Sequence, residues 1–428
     1  MPLALNAVTI AAAIGIGASI LHYLNSGTGG EEPHDRDDPV STKIHPRLFS
    51  STKIRSTVRL KELTSQTLSP AACPTAVSTI KNVPIYDCSK LDITDHASKE
   101  SLMAEFYSLL LYGPGVLVLK NMYHDKSVLD TTNAVFDSLL ASERAAGNKG
   151  DHFSSSSTNS RLWNSFSKHC LYSPSSFLDY YSNPYLSLIS ESYLGPSYRI
   201  TTQLNIVHPS GPAQTCHRDY HLGFQDPSSA ARFPRAMHMA SQLLTLQGAI
   251  AHTDMPLLSG PTRLLPFSQL LEDGYMAHRD ESFQSFFQEN HVAVPLEKGD
   301  GLFFNPALYH AAGENRTVDS DRSANLVQVS SAFGKTMESV DSLPLVDATW
   351  DLLREKTSRE GTSGEVVAFV QAVAEGYPFP TNLDRRPPAP GGMAPESEQG
   401  LLMRALREGW DRGSVLGELR RMREDSKA

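Results

Sequence analysis

The chain reads as a mainly β protein with added helices, an antiparallel barrel or sandwich that carries an N-terminal arm and a C-terminal helical extension. Three observations lead there. Short segments rich in Val, Ile, Leu and Thr recur at 116–119, 200–207, 242–251, 292–296 and 324–330, and such residues suit pleated, buried strands. Turn formers separate them, Gly113-Pro114-Gly115, Pro209-Ser210-Gly211-Pro212 and Ser259-Gly260-Pro261, which supply the backbone geometries a chain reversal needs. Past about residue 340 the apolar spacing becomes helical, with Val366, Val367, Val370 and Val373 on one face.

In chain order, residues 1–26 form an apolar segment that is uncharged from 7 to 21, where about 20 such residues are needed to cross a bilayer. It lacks the basic residues of a secretory or mitochondrial leader, so membrane association through residues 3–24 stands beside a nonspecific apolar tail. Residues 27–84 are rich in Ser, Thr, Pro, Asp and Lys, which predicts a flexible arm or linker. The ordered domain is expected over 85–340, opening with the strand at 116–119, a helix over 125–140, a Ser-rich loop at 151–160 and a helix over 175–194. The extension, 341–428, is expected to hold a helix capped by the Thr362/Glu365 pair and a last helix over 398–423 after the Pro/Gly-rich turn 386–392. No internal repeat is visible.

Length and composition agree with one large domain plus extensions: 428 residues, 40% hydrophobic and 20% charged. A formal net charge of -9 gives no basic face for nucleic acid, and Arg420, Arg421 and Arg423 are interleaved with Glu418, Glu424 and Asp425 as on a solvated helix. Nucleic acid is not an expected partner. The cysteines, Cys73, Cys88, Cys170 and Cys216, are too few and scattered for a disulfide framework or a CxxC metal site; a reducing compartment fits, and no Cys73–Cys88 bridge is expected. The cytoplasm is the expected location, with a membrane-anchored form as one alternative and the peroxisome as another. The last rests on Ser426-Lys427-Ala428, whose final Ala departs from the Ser-Lys-Leu signal.

The chemistry concentrates in histidines and carboxylates. In His217-Arg218-Asp219 the i and i+2 side chains of an extended segment point the same way, so both reach one ion while Arg218 points elsewhere. A third ligand must come from a distant strand, and His310 follows the turn Gly299-Asp300-Gly301 and the apolar run Leu302-Phe303-Phe304. Two His and one carboxylate on one face of a metal are the ligand set of non-heme iron oxygenases. A second copy of the pattern, His252-Thr253-Asp254, precedes Met255-Pro256 and a Gly-Pro turn, where Asp commonly caps the turn. The first copy sits after a Gly/Pro turn with Gln214 three residues upstream.

The segments Gln214-Thr215-Cys216-His217-Arg218-Asp219, Ser259-Gly260-Pro261-Thr262-Arg263-Leu264-Leu265-Pro266 and Lys298 through His310 to Asn315-Arg316 resemble, in content and order, the phytanoyl-CoA dioxygenase family. The resemblance covers roughly residues 115–334. It implies a double-stranded β-helix (jelly-roll or cupin-like) core and a dioxygenase that uses Fe(II), O2 and 2-oxoglutarate as co-substrate, with ascorbate as an optional reductant. Carried over by position, the metal triad falls on His217, Asp219 and His310, which are thereby the catalytic residues, and the 2-oxoglutarate contacts fall on Gln214, Thr262 and Arg322. A planar guanidinium suits that last role, because it pairs a carboxylate through two hydrogen bonds. Phe267-Ser268-Gln269 replaces the family's Gly-Ser-His, so the founding enzyme's substrate is not carried over.

The resemblance leaves a small-molecule or lipid-like substrate, with hydroxylation as the default outcome and desaturation or rearrangement, as in tailoring of secondary metabolites, as an alternative. Two other classes compete. A zinc hydrolase could use the same three ligands but leaves Gln214 and Arg322 unexplained; a catalytically inactive, membrane-tethered binding protein leaves the intact triad unexplained. The oligomeric state is not legible. Trp163, Trp350 and Trp410 read as packing residues, His221 and His238 as structural ones, and Asp151, His152 and Phe153 as part of a loop over the site.

Overall fold

A computed structural model describes residues 44–147 and 158–428; the apolar segment at 1–26 and the loop residues Asp151, His152 and Phe153 lie outside them. Eleven strands are present among the described residues: β1 (Ser78–Ile80), β2 (Val83–Asp87), β3 (Val116–Lys120), β4 (Asn159–Leu162), β5 (Arg199–Val207), β6 (Thr245–Ala251), β7 (Arg263–Leu265), β8 (Val292–Ala293), β9 (Gly301–Phe304), β10 (Tyr309–Ala311) and β11 (Arg322–Ser330). Eight form one sheet in the order β1-β2-β3-β9-β6-β11-β5-β4, and three form a second, β10-β7-β8. Every neighbouring pair is antiparallel except β2 and β3.

Alternation along the strands decides which side of the large sheet meets what. On β11, Ala324 joins a cluster with Val83, Val118, Ala249, Leu302 and Phe304, to which the small sheet adds Leu264, so the two sheets pack face to face. Val327 and Val329, with Ile200, Leu246, Ile250 and Phe303, point the other way into a larger cluster with helical residues such as Phe177, Trp350 and Leu401. The central strands are buried on both faces, and each fully buried Leu, Val or Phe contributes about 1.5–3 kcal/mol.

The large helical layer corrects the mainly β expectation: helices hold more residues than strands among those described. Helix positions hold, but three helices end where local signals overrode the apolar periodicity. The stretch 175–194 is two helices, Pro174–Tyr181 and Pro184–Leu194, because Asn183 accepts hydrogen bonds from the Tyr185 and Leu186 amides and Pro184 starts the next turn. The stretch 398–423 breaks at Gly409, whose φ of 73° ends Glu398–Glu408 before Asp411 caps Arg412–Asp425. The cap of helix Gly364–Val373 is Ser363, which accepts from the Val366 amide, and not Thr362.

The stretch 27–84 is not a bare arm over its described part. Helix Val58–Thr64 buries Leu60 and Leu63, and β1 and β2 extend the large sheet through the β2–β3 pairing. A boundary at Ile85 cuts β2. The C-terminal helices likewise share one core with the sheet. A chain starting at Ile85 is expected to lose stability severely, since Leu60, Leu63 and Val83 together contribute roughly 5 kcal/mol of a total of about 5–15 kcal/mol. Thermal unfolding by circular dichroism measures it; a melting temperature within a few degrees of the full chain's would refute the assignment.

The cysteines are all free and buried. No helix among the described residues is long and apolar enough to cross a membrane.

Candidate metal centre

The triad is assembled by strand pairing. His217 and His310 face each other in an antiparallel bridge, with His217 N–H donating to His310 O at 3.0 Å and His310 N–H to His217 O at 3.2 Å. This extends the small sheet by one position and sets the two rings side by side, tilted by 58° with centroids 4.4 Å apart. Two residues on, Asp219 N–H donates to Pro306 O, so its side chain returns to the face of His217. Between them, Arg218 turns away. Its guanidinium donates to the Ser268 and Leu271 carbonyls and lies over the Tyr275 and Tyr309 rings, at 5.1 and 5.0 Å. Gly274 is required there, because a Cβ would stand 2.0 Å from the Arg218 Cζ.

Donor atoms of His217, Asp219 and His310 all lie within 4.8 Å of one another. His217 Nε2 is 3.7 Å from Asp219 Oδ1 and His310 Nε2 is 3.3 Å from Asp219 Oδ2. Adjacent corners about 3 Å apart are what bonds of about 2.0–2.2 Å to N and O ligands produce. The rings are also set in the right tautomer. Only a protonated Nδ1 can bond a carbonyl, and His217 Nδ1 meets Thr215 O at 2.9 Å while His310 Nδ1 meets Leu308 O at 2.8 Å. Each Nε2 is thereby left as a lone pair aimed at the same point.

Gln247 on β6 completes the arrangement by donating from Nε2 to Asp219 Oδ2 at 2.6 Å. Burial would raise the Asp219 carboxyl, but His217, His310 and this amide hold it well below the usual carboxylate range. Desolvation likewise keeps His217 below the ordinary histidine range. Both shifts favour the forms that bind a cation. Gln247 had no legible signal in the sequence: a lone Gln in a strand carries no spacing pattern.

The centre opens into a cavity of about 1070 Å³ lined by His217, Asp219, Gln214 and Thr262 among others. Gln214 Oε1 accepts from the Ala312 amide. Arg322 is not among the lining side chains. Buried at the start of β11, it donates from Nη1 to the Ser259 and Gly313 carbonyls at 3.3 and 3.1 Å, and burial pulls its pKa down to about 10. It makes no ion pair with a described residue. Strand alternation nevertheless puts it on the same face of β11 as Leu326 and Gln328, which do line the cavity. Arg316 lies apart, exposed beside Lys81 and Glu314 in a separate 360 Å³ cavity. Phe267-Ser268-Gln269 is structural: the Ser268 hydroxyl accepts from the Tyr309 amide and Gln269 braces the Gly113 carbonyl.

The second HxD copy is elsewhere. His252 is fully buried between Tyr180 and Asn133, at 2.9 and 2.6 Å, and desolvation lowers its pKa to about 3. Asp254 accepts from the Lys298 amide, a turn contact. His252→Ala is expected to leave metal affinity within a few-fold while costing about 1–3 kcal/mol of stability through the orphaned Tyr180 and Asn133 groups. Metal titration and thermal denaturation read the two effects separately; loss of metal binding by a folded variant would mean that the wrong copy was chosen.

A two-sheet β fold with a facial His, Asp, His set defines a class, the non-heme iron dioxygenases that depend on 2-oxoglutarate. Residues 112–324 match the family model described as Phytanoyl-CoA dioxygenase (PhyH), and this region of the chain belongs to that family. It is 26% identical over 215 residues to "Dioxygenase andF" of Emericella variicolor, covering 49% of this chain and 67% of that one. Among solved structures, the non-heme alpha ketoglutarate dependent carbocyclase SnoK from nogalamycin biosynthesis is similar with a TM-score of 0.41 and 21% identity over 54% of this chain and 83% of its own. AviO1 from Streptomyces viridochromogenes Tue57 is similar with a TM-score of 0.41 and 15% identity over 58% of this chain and 98% of its own.

Proposed function

We propose that the two sheets are a double-stranded β-helix in which His217, Asp219 and His310 hold Fe(II), and that the enzyme oxidises a C–H bond of a small organic substrate, hydroxylation being the default. Bound iron with O2 and 2-oxoglutarate supplies the oxidising power, and 2-oxoglutarate leaves as succinate and CO2. The observation that carries this reading is the pre-set donor set: two imidazoles in the Nδ1–H tautomer and a carboxylate held ionised, meeting at one point of a large cavity.

The protein's own work is positioning, charge complementarity and exclusion of water. Gln247 fixes the rotation of the Asp219 carboxylate through Oδ2, so a metal would meet a carboxylate that no longer needs orienting. Gln214 has its Oε1 tied to the Ala312 amide, which leaves its Nε2 as a donor toward a co-substrate carboxylate. Thr262 offers a hydroxyl to the same cavity. Arg322 brings a buried positive charge that no carboxylate among the described residues offsets, so a dianion such as 2-oxoglutarate relieves it. Purified protein is expected to form succinate from 2-oxoglutarate in an iron-dependent reaction with ascorbate present, accelerated by some members of a substrate panel. Iron-independent turnover, or none at all, would rule the reading out.

A further inference from the structure

Three glutamines stand side by side on the floor of the cavity. Gln328 on β11 is directly opposite Gln247 on β6, and Gln203 on β5 is opposite Leu326, two residues along the same face of β11 as Gln328. All three line the cavity that holds the metal centre. Directly opposed residues bring their Cβ atoms to about 5 Å and diagonal ones to about 7 Å, so the amides form one contiguous surface. One end of this surface reaches the metal ligands, since Gln247 bonds Asp219.

The protein satisfies these amides only in part. Gln203 Oε1 accepts from Arg161 at 2.9 Å, and its amide also bonds Met337 Sδ at 3.2 Å and the Glu338 carboxylate. The Thr201 hydroxyl lies 3.4 Å from Gln328 Oε1, and the Gln328 Nε2 makes no hydrogen bond with a described residue. A floor built to receive a saturated chain would carry Leu or Val here, as the neighbouring position Leu326 does. Burying an amide beneath an alkyl chain without a partner costs about 1–3 kcal/mol per group, a cost that a ligand oxygen removes.

We propose that Gln203, Gln247 and Gln328 are a specificity platform that receives carbonyl and hydroxyl oxygens, and that the part of the substrate held at the metal centre is therefore oxygenated rather than a saturated acyl chain. This rests on the oxygenase reading and narrows its substrate class. Gln328 contributes the free donor, Gln203 continues the polar surface on the next strand, and Gln247 ties the platform to the Asp219 carboxylate, so an oxygen bound by Gln328 sits beside the carbon presented for oxidation.

The test uses the full chain loaded with iron and 2-oxoglutarate and two probe sets. One holds hydrocortisone and a hydroxylated anthraquinone, the other palmitic acid and palmitoyl-CoA. Calorimetric binding and stimulation of succinate formation are measured for each. Binding and stimulation by the oxygenated set and not by the acyl set is expected. In Gln328→Leu the ratio of oxygenated to acyl affinity is expected to fall about five- to tenfold, the loss of one hydrogen bond, and a ratio cancels any general damage. Stimulation by the acyl probes alone, by neither set, or an unchanged ratio in the variant overturns the platform. Succinate formation in the absence of either set separates that failure from failure of the oxygenase reading, which would abolish it.

Discussion

His310→Ala is expected to abolish iron-dependent succinate formation and to weaken metal binding by orders of magnitude, while the fold survives. Its Nε2 is one of the three donor atoms that the described residues bring to the centre, and a two-donor remainder does not define a facial site. Survival of the fold follows from the geometry. What joins β10 to the His217 segment is the backbone pair between residues 217 and 310, and alanine retains both hydrogen bonds. The imidazole itself donates from Nδ1 to Leu308 O, while its Nε2 faces the Asp219 carboxylate as a second metal donor. Cobalt(II) titration followed by visible absorption reads the affinity, and far-ultraviolet circular dichroism reads the fold. Undiminished turnover in the folded variant would remove His310 from the centre.

Arg322→Ala is expected to raise the KM for 2-oxoglutarate by thirtyfold or more, whereas Arg316→Ala changes it by no more than about twofold. The two arginines differ in environment, not in type. Arg322 is buried, bonded to two backbone carbonyls, and has no carboxylate partner among the described residues. It occupies the face of β11 that continues into the metal cavity at Leu326 and Gln328. Arg316 is exposed in the separate cavity with Lys81 and Glu314, where water screens its charge. Truncating one member of a buried charge pair costs about 2–5 kcal/mol, and about 1.4 kcal/mol is tenfold in affinity. Cobalt(II) affinity in the absence of 2-oxoglutarate is expected to stay within a few-fold in both variants. The reverse order of KM effects would move the anion site to Arg316.

Local chemistry was legible where a short pattern carries it. The i, i+2 spacing of His217 and Asp219 is a property of any extended segment, and Asp219 and His217 do share a face. The strands at 200–207 and 324–330 were legible because they are rich in Val, Ile, Leu and Thr between turn formers, and β5 and β11 turn out to pair over their whole length. Helix ends were less so: Asn183-Pro184 and Gly409 are stop signals that apolar periodicity masks. The segment from Val58 to Pro84 read as an arm because its few apolar residues, Leu60 and Leu63 among them, show no period long enough to announce a helix, yet two buried leucines suffice to dock a helix of about two turns.

By itself, then, the sequence determined the ligand chemistry, the turn positions and the strand faces, all of which depend on residues within a few positions of one another. Only the tertiary structure decided which HxD copy meets a third histidine, because that depends on a backbone bridge between residues 217 and 310, far apart in the chain. It also decided that Gln247 would orient Asp219 and that Gln203 and Gln328 would lie beside it, since cross-strand neighbours are set by register. Register is fixed by the summed burial of both sheet faces, a quantity no short window of sequence contains.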